Sequence, residues 1–150
     1  MSEQRVWKKV LESDLEDIVS KLKDDLVSPC AIILSGPVGA GKTTFTKKFI
    51  TNNEGEVCSP TYSIINESGD CAHADFYRLE SPEEIVHLEL SLYLEDKSFF
   101  LIEWGKEFLK EIQRNIDLDW RVYELEFQIN DDENQQNSPA SRNLILSEIK

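Results

Sequence analysis

Leu15, Ile18, Val19, Leu22 and Leu26 recur at helical spacing through an otherwise charged stretch. That pattern predicts an amphipathic helix with one buried stripe. Ser13-Asp14-Leu15-Glu16 reads as its capping box, and Pro29 closes the segment. The pattern then changes to a short, β-rich apolar run, Cys30-Ala31-Ile32-Ile33-Leu34, of the kind that forms a buried strand. Ser35 to Gly41 is a glycine-bearing loop, and Lys42 to about Thr51 is compatible with a helix that stops near Asn52-Asn53 and Gly55.

Extended segments follow on either side of Ser68-Gly69-Asp70, a turn signal, so Ser63–Asn66 and Cys71–Phe76 are predicted to form a hairpin. Ser81-Pro82-Glu83-Glu84 is a second capping box with proline in the first helical position, opening a short helix with Ile85 and Leu88. Phe99-Phe100-Leu101-Ile102 is another buried-strand run ending at Glu103-Trp104, and Phe108, Leu109 and Ile112 suit a short helix after it. Tyr123, Leu125, Phe127 and Ile129 alternate with Val122, Glu124, Glu126 and Gln128, which predicts a strand with one wetter face. Asp131 to Ser141 is polar and loop-like, and Asn143–Ile149 is placed to return as the partner strand. Strands alternating with helices, then strands late in the chain, imply an α/β fold: a three-layer arrangement around a mixed, mainly parallel central sheet with an antiparallel C-terminal hairpin.

Composition narrows the function. The 150 residues are one domain's worth of chain, and a hydrophobic content of 40% is too high for a disordered one. Apolar runs are only a few residues long, which excludes a membrane-spanning helix of ~20 residues, and the N-terminal Met-Ser-Glu-Gln-Arg has no secretory apolar region. With 29 acidic and 16 Lys/Arg residues the net charge is −13, the wrong sign for autonomous nucleic-acid binding. Cys30, Cys58 and Cys71 have no CxxC spacing and, with only His73 and His87 beside them, make a poor zinc set. The expectation is a reduced, cytoplasmic protein.

Gly36-Pro37-Val38-Gly39-Ala40-Gly41-Lys42-Thr43 fits G-x-x-x-x-G-K-[ST], the Walker A phosphate-binding pattern. Glycines let the backbone bend so that successive N–H groups converge on phosphate oxygens. The helix opening at Lys42 aims its free amides and positive dipole end at the same anion. This assigns Gly36, Val38, Gly39, Ala40, Gly41, Lys42, Thr43 and Thr44 to nucleotide contact, with Lys42 on the β- and γ-phosphates and the Thr43 hydroxyl on Mg²⁺. A chance match in a chain of this length has odds of roughly 1% or less. The preceding strand and following helix are the context the motif needs.

Hydrolysis needs more than a phosphate cradle: an acidic ligand for Mg²⁺ and a group that orients water. Glu103, closing the Phe99–Ile102 strand, stands where a Walker B acid belongs, and Asp75 closes the strand from Cys71. Thr61, in the connection after the P-loop helix, occupies the place of a switch threonine that senses the γ-phosphate, although on these residues alone an ordinary proline turn is the favoured account of Pro60-Thr61.

In combination these segments resemble the TsaE family (older name YjeE), small bacterial P-loop ATPases of tRNA threonylcarbamoyladenosine (t6A) biosynthesis. The matching pieces are Leu34-Ser35-Gly36 through Lys42-Thr43-Thr44-Phe45, then Ser59-Pro60-Thr61-Tyr62-Ser63. They continue with His73-Ala74-Asp75-Phe76-Tyr77-Arg78-Leu79, Pro82-Glu83-Glu84, and Ile102-Glu103-Trp104. The resemblance runs from about residue 10 to 106 and loosens after that. It implies one ATPase domain over residues 1–150 that takes ATP as substrate with Mg²⁺ on Thr43 and Glu103. Asp75, Lys42 and Thr61 would be catalytic, and Ser59 with Thr61 would form a switch-like loop. Trp104 would sit beside the nucleotide and Glu12 near the adenine. It also implies TsaB and TsaD as partners, tRNA reached only through that complex, and ATP hydrolysis that is weak alone and stimulated by the assembly. Where the family carries proline after the Glu-Trp pair this chain has Gly105, expected to loosen the backbone beside Trp104. Arg78 stays open between an arginine finger in cis and a structural ion pair. A small-molecule kinase and a nucleotide-gated binding module with little hydrolysis remain the alternative functions.

Overall fold

A computed structural model describes residues 4–51, 64–130 and 141–149. Seven strands form one mixed sheet in the order β1-β7-β6-β2-β5-β4-β3. Its centre is parallel: β2 (Cys30–Ser35) lies between β6 (Arg121–Ile129) and β5 (Phe99–Glu103), and β4 (Cys71–Asp75) extends the parallel set beyond β5. Both flanks are antiparallel. β3 (Ile65–Ser68) folds back on β4 across the predicted Gly69 turn, and β7 (Arg142–Glu148) returns along β6 as the predicted C-terminal hairpin.

The central strands alternate between two cores. Cys30, Ile32 and Leu34 of β2 and Phe99 and Leu101 of β5 pack with Ile18, Val19 and Leu22 of α1 (Leu15–Asp25) and Phe45 and Phe49 of α2 (Lys42–Thr51). Ala31, Ile33, Phe100 and Ile102 face the other way, against Ile85, Leu90 and Ile112 of α3 (Glu83–Leu88), α4 (Leu90–Leu94) and α5 (Leu109–Asn115). Helices therefore cover both faces, as a parallel sheet requires. Phe45 meets Phe127 edge-on at 5.7 Å and Phe49 meets Phe99 at 5.1 Å, so α2 is pinned to β6 and β5. Each buried phenylalanine contributes on the order of 1.5–3 kcal/mol, which fixes the helix that begins at Lys42.

Three expectations change. β1 (Gln4–Val10) was not anticipated: its pattern is mostly polar, and it is an edge strand made by pairing with β7. The capping box is shifted from Ser13. A 3-10 turn over Glu12–Asp14 precedes α1, and the Asp14 carboxylate accepts the Leu11 N–H at 2.9 Å. Ile129, at the end of the alternating strand, is 38% exposed, although Tyr123, Leu125 and Phe127 in the same alternation are buried in the α1–α2 core. At Ser81 half of the second box forms, with Glu84 Oε2 accepting the Ser81 N–H at 3.0 Å. Among the described residues no helix is long and apolar enough to cross a membrane.

Candidate nucleotide site

The register of the parallel strands assembles the site. Leu34, Glu103 and Asp75 are direct neighbours across β2, β5 and β4, so the C-terminal ends of three strands meet in one row. Lateral neighbours in a sheet share a face. Leu34 faces the α1–α2 core, and Glu103 and Asp75 therefore lie toward the start of α2. The glycine loop leaves β2 at the same row and opens α2 at Lys42.

The loop has the backbone its glycines anticipated. Gly36, Gly39 and Gly41 have φ of +134°, +82° and +104°. At Gly36 the absent side chain also serves packing, since a Cβ would lie 2.5 Å from the Phe127 carbonyl oxygen. At Gly39 and Gly41 such an atom would meet nothing within 4 Å, and there only the backbone conformation demands glycine. Ala40 is fully buried beneath the loop, and Val38 stands 77% exposed at its tip.

Lys42, 5% exposed, donates from Nζ to the Gly36 carbonyl at 2.7 Å and lies 3.6 Å from the centre of the Trp104 ring. Burial lowers its pKa, and the nearby Glu103 and Asp75 carboxylates oppose that shift. The Thr43 hydroxyl donates to Glu103 Oε1 at 2.7 Å, while His73 Nε2 lies 2.9 Å from Glu103 Oε2. Burial pushes the Glu103 carboxyl up, but the hydrogen bonds from His73 and Thr43, with Lys42 close by, outweigh it and hold it below its ordinary range. Asp75, an exposed residue that borders the cleft beside the loop, accepts the Tyr77 N–H at Oδ1 at 3.0 Å, an Asx-type turn.

A cleft of about 470 Å³ joins Gly39, Lys42, Thr43, Thr44, Asp75, Glu103 and Trp104. A second cavity of about 370 Å³ on the other side of the loop is lined by Glu12, Gly39, Thr44 and Arg142. The two halves suit a polyphosphate and a base. Thr43 and Glu103 offer two hard oxygens side by side, one ionised, beside open space for water, which fits a magnesium ion with few protein ligands.

Thus the loop residues, Lys42, Thr43, Thr44, Asp75, Glu103 and Trp104 converge, and Glu12 borders the adjoining cavity. Thr61, with Ser59, lies outside the described residues. Arg78 is exposed and, among the described residues, makes no ion pair. Gly105 is not slack: it is buried, and a Cβ there would meet Ile102 Cγ2 at 2.5 Å. Trp104 before it turns the chain with φ of +60°, a rare conformation for a bulky residue, and meets the Tyr77 ring at 5.1 Å with the planes tilted by 56°. Sequence reading missed His73 and Arg142. The first carried a signal: two residues before Asp75 on one strand, it had to share the face of Glu103.

Fold and loop together define a three-layer α/β protein with a glycine loop of the Walker A pattern between β2 and α2. A family model described as "Threonylcarbamoyl adenosine biosynthesis protein TsaE" matches residues 10–138. A protein of Haemophilus influenzae named tRNA threonylcarbamoyladenosine biosynthesis protein TsaE is 35% identical over 98 residues, 59% of this chain and 62% of that protein. A Bacillus subtilis protein of the same name is 37% identical over 112 residues, 68% of this chain and 67% of that protein. The crystal structure of Bacillus subtilis YdiB matches with a TM-score of 0.61 and 23% identity over 100% of this chain and 88% of that one, a likeness of fold. The chain belongs to the TsaE family. Its match spans about three-fifths of the length of the Haemophilus relative.

Proposed function

We propose that the chain is a Mg²⁺-dependent ATPase that supports t6A modification of tRNA adenosine 37, acting with TsaB and TsaD. The observation that carries this reading is the convergence of Lys42, the hydrogen-bonded Thr43–Glu103 pair and Asp75 at one end of the glycine loop. The names of the family and its relatives support the pathway.

Water attacks the γ-phosphate in line. Loop amides and the Lys42 ammonium stabilise charge on the transferred oxygens. Thr43 and Glu103 would hold Mg²⁺, which would supply neutralisation of the polyphosphate charge. Asp75 orients or deprotonates the water. Thr61 is assigned by resemblance to sense the γ-phosphate. His73 holds Glu103 in place through its second oxygen. A net charge of −13 favours docking on a partner that carries the tRNA over direct tRNA capture.

Phosphate release with and without TsaB–TsaD and tRNA tests the reading. Slow release by the chain alone and stimulation in the assembly are expected, since a group supplied in trans can be worth ~10³–10⁵ in rate. Lys42→Ala should lose phosphate affinity, and Glu103→Ala should chiefly weaken Mg²⁺-dependent steps. Wild-type release by both variants would remove the site. Full-rate hydrolysis by the chain alone would remove the partner dependence.

A further inference from the structure

Arg142 opens β7, 102 positions along the chain from Ala40, yet its guanidinium is on the glycine loop. Nε donates to the Ala40 carbonyl at 3.0 Å, Nη2 to the Gly39 carbonyl at 3.0 Å, and Nη1 to the carbonyl of Ser141 at 3.4 Å. A trans peptide carries its C=O and N–H on opposite edges of one plane. Holding a carbonyl outward therefore holds the next residue's N–H inward. The Gly39–Ala40 peptide is held at both edges, because the Ala40 N–H also donates to the Pro37 carbonyl at 3.1 Å. The Ala40–Gly41 peptide is held through Arg142 Nε, which turns the Gly41 N–H away from the guanidinium. Gly39 and Gly41 flank these planes with positive φ and no side chain, the two places where such a loop is free to turn over.

The strand that carries the guanidinium is paired on both sides. Arg142 pairs with Val10 of β1 on one side and Ile129 of β6 on the other. The next residue, Asn143, accepts the Lys9 N–H at 3.1 Å and an Asn130 amide hydrogen at 2.9 Å. A planar fork on a strand fixed from both sides suits two carbonyls about a peptide apart, where a lysine ammonium would satisfy one at a time.

We propose that Arg142 is a positioning residue, a clamp from the C-terminal hairpin that keeps the glycine loop in its anion-binding form. The clamp rests on the nucleotide reading of the site but makes its own claim: it acts on phosphate grip, not on base recognition.

The test measures binding of ADP and of inorganic pyrophosphate by calorimetry to the full chain and to Arg142→Ala and Arg142→Lys. Urea midpoints and hydrogen exchange at the Gly41 amide are measured on the same samples. Arg142→Ala is expected to weaken both ligands by the same factor, about ten-fold, as loss of hydrogen bonds to a charged group implies. Gly41 exchange should quicken without ligand present, and Arg142→Lys should recover part of both effects. Unchanged ADP affinity would overturn the clamp, as would a loss for ADP with none for pyrophosphate, which would place the guanidinium on the base or ribose. Should Arg142→Ala fail to fold, a folded Arg142→Lys with wild-type affinity and exchange overturns it equally. If the wild-type chain binds neither ligand, the nucleotide reading falls, whereas Gly41 exchange still judges the clamp.

Discussion

Replacing Gly36 by alanine puts two separate costs on one residue. Its φ of +134° lies in a region open essentially to glycine alone, worth ~1–3 kcal/mol for another residue. The added Cβ would also sit 2.5 Å from the Phe127 carbonyl oxygen and 3.1 Å from Phe127 Cβ. That oxygen cannot retreat by itself. Phe127 is paired with Leu144 of β7, and its neighbour Glu126 with Ser35 of β2. Forcing atoms into such a place costs a further ~1–3 kcal/mol. The total of about 2–6 kcal/mol is a large part of a typical domain stability of about 5–15 kcal/mol. Gly39→Ala and Gly41→Ala carry only the backbone term, ~1–2 kcal/mol, because nothing lies within 4 Å of either Cβ position. Urea unfolding at constant slope should rank Gly36→Ala well below the other two, while all three weaken nucleotide binding. A Gly36→Ala protein as stable as Gly39→Ala would refute the argument that β6 sets the space under the loop.

Three further outcomes are expected. Glu103 is held below its ordinary pKa in the folded chain, so it contributes stability at neutral pH that is lost as pH falls through that lowered value. Urea midpoints of wild type and Glu103→Gln should converge on the acid side, and parallel profiles would contradict this. The Cys30 thiol is pushed up to about 12, by burial first and by neighbouring Cys71 second. A thiol reagent should label these two buried cysteines no faster than the chain unfolds, and rapid native labelling would show that the α1–α2 core opens. Gly105→Ala should cost ~1–3 kcal/mol in thermal or urea unfolding, because its Cβ would meet Ile102 Cγ2 at 2.5 Å and Ile112 Cδ1 at 3.2 Å inside the second core. A neutral result would mean that Ile102 repacks freely.

Much of this architecture is local and therefore readable. Glycines, lysine and threonine at set offsets can only be useful where a strand feeds a helix, and Cys30–Ser35 and Lys42–Thr51 supply both. Apolar runs of four or five residues marked the central strands, since strands covered on both faces have no polar side to show. Glu103 and Asp75 were visible as acids at strand ends, and their adjacency followed once the strands paired in register.

Other features depend on partners distant in the chain. Gln4–Val10 is a strand because β7 offers it a free edge, and its own residues lack a clear alternation. The turn at Glu12–Asp14 displaced the expected cap because the chain had to leave β1 before entering α1. The left-handed Trp104, in contact with both Lys42 and Tyr77, has no signature in neighbouring residues. Arg142 is the sharpest case: an ordinary charged residue at the start of a hairpin strand becomes part of the loop's support only when β7 inserts between β1 and β6. Periodicity and motif spacing report forces between residues close in the chain, whereas hydrogen bonds across 102 positions exist only after the sheet order has been chosen.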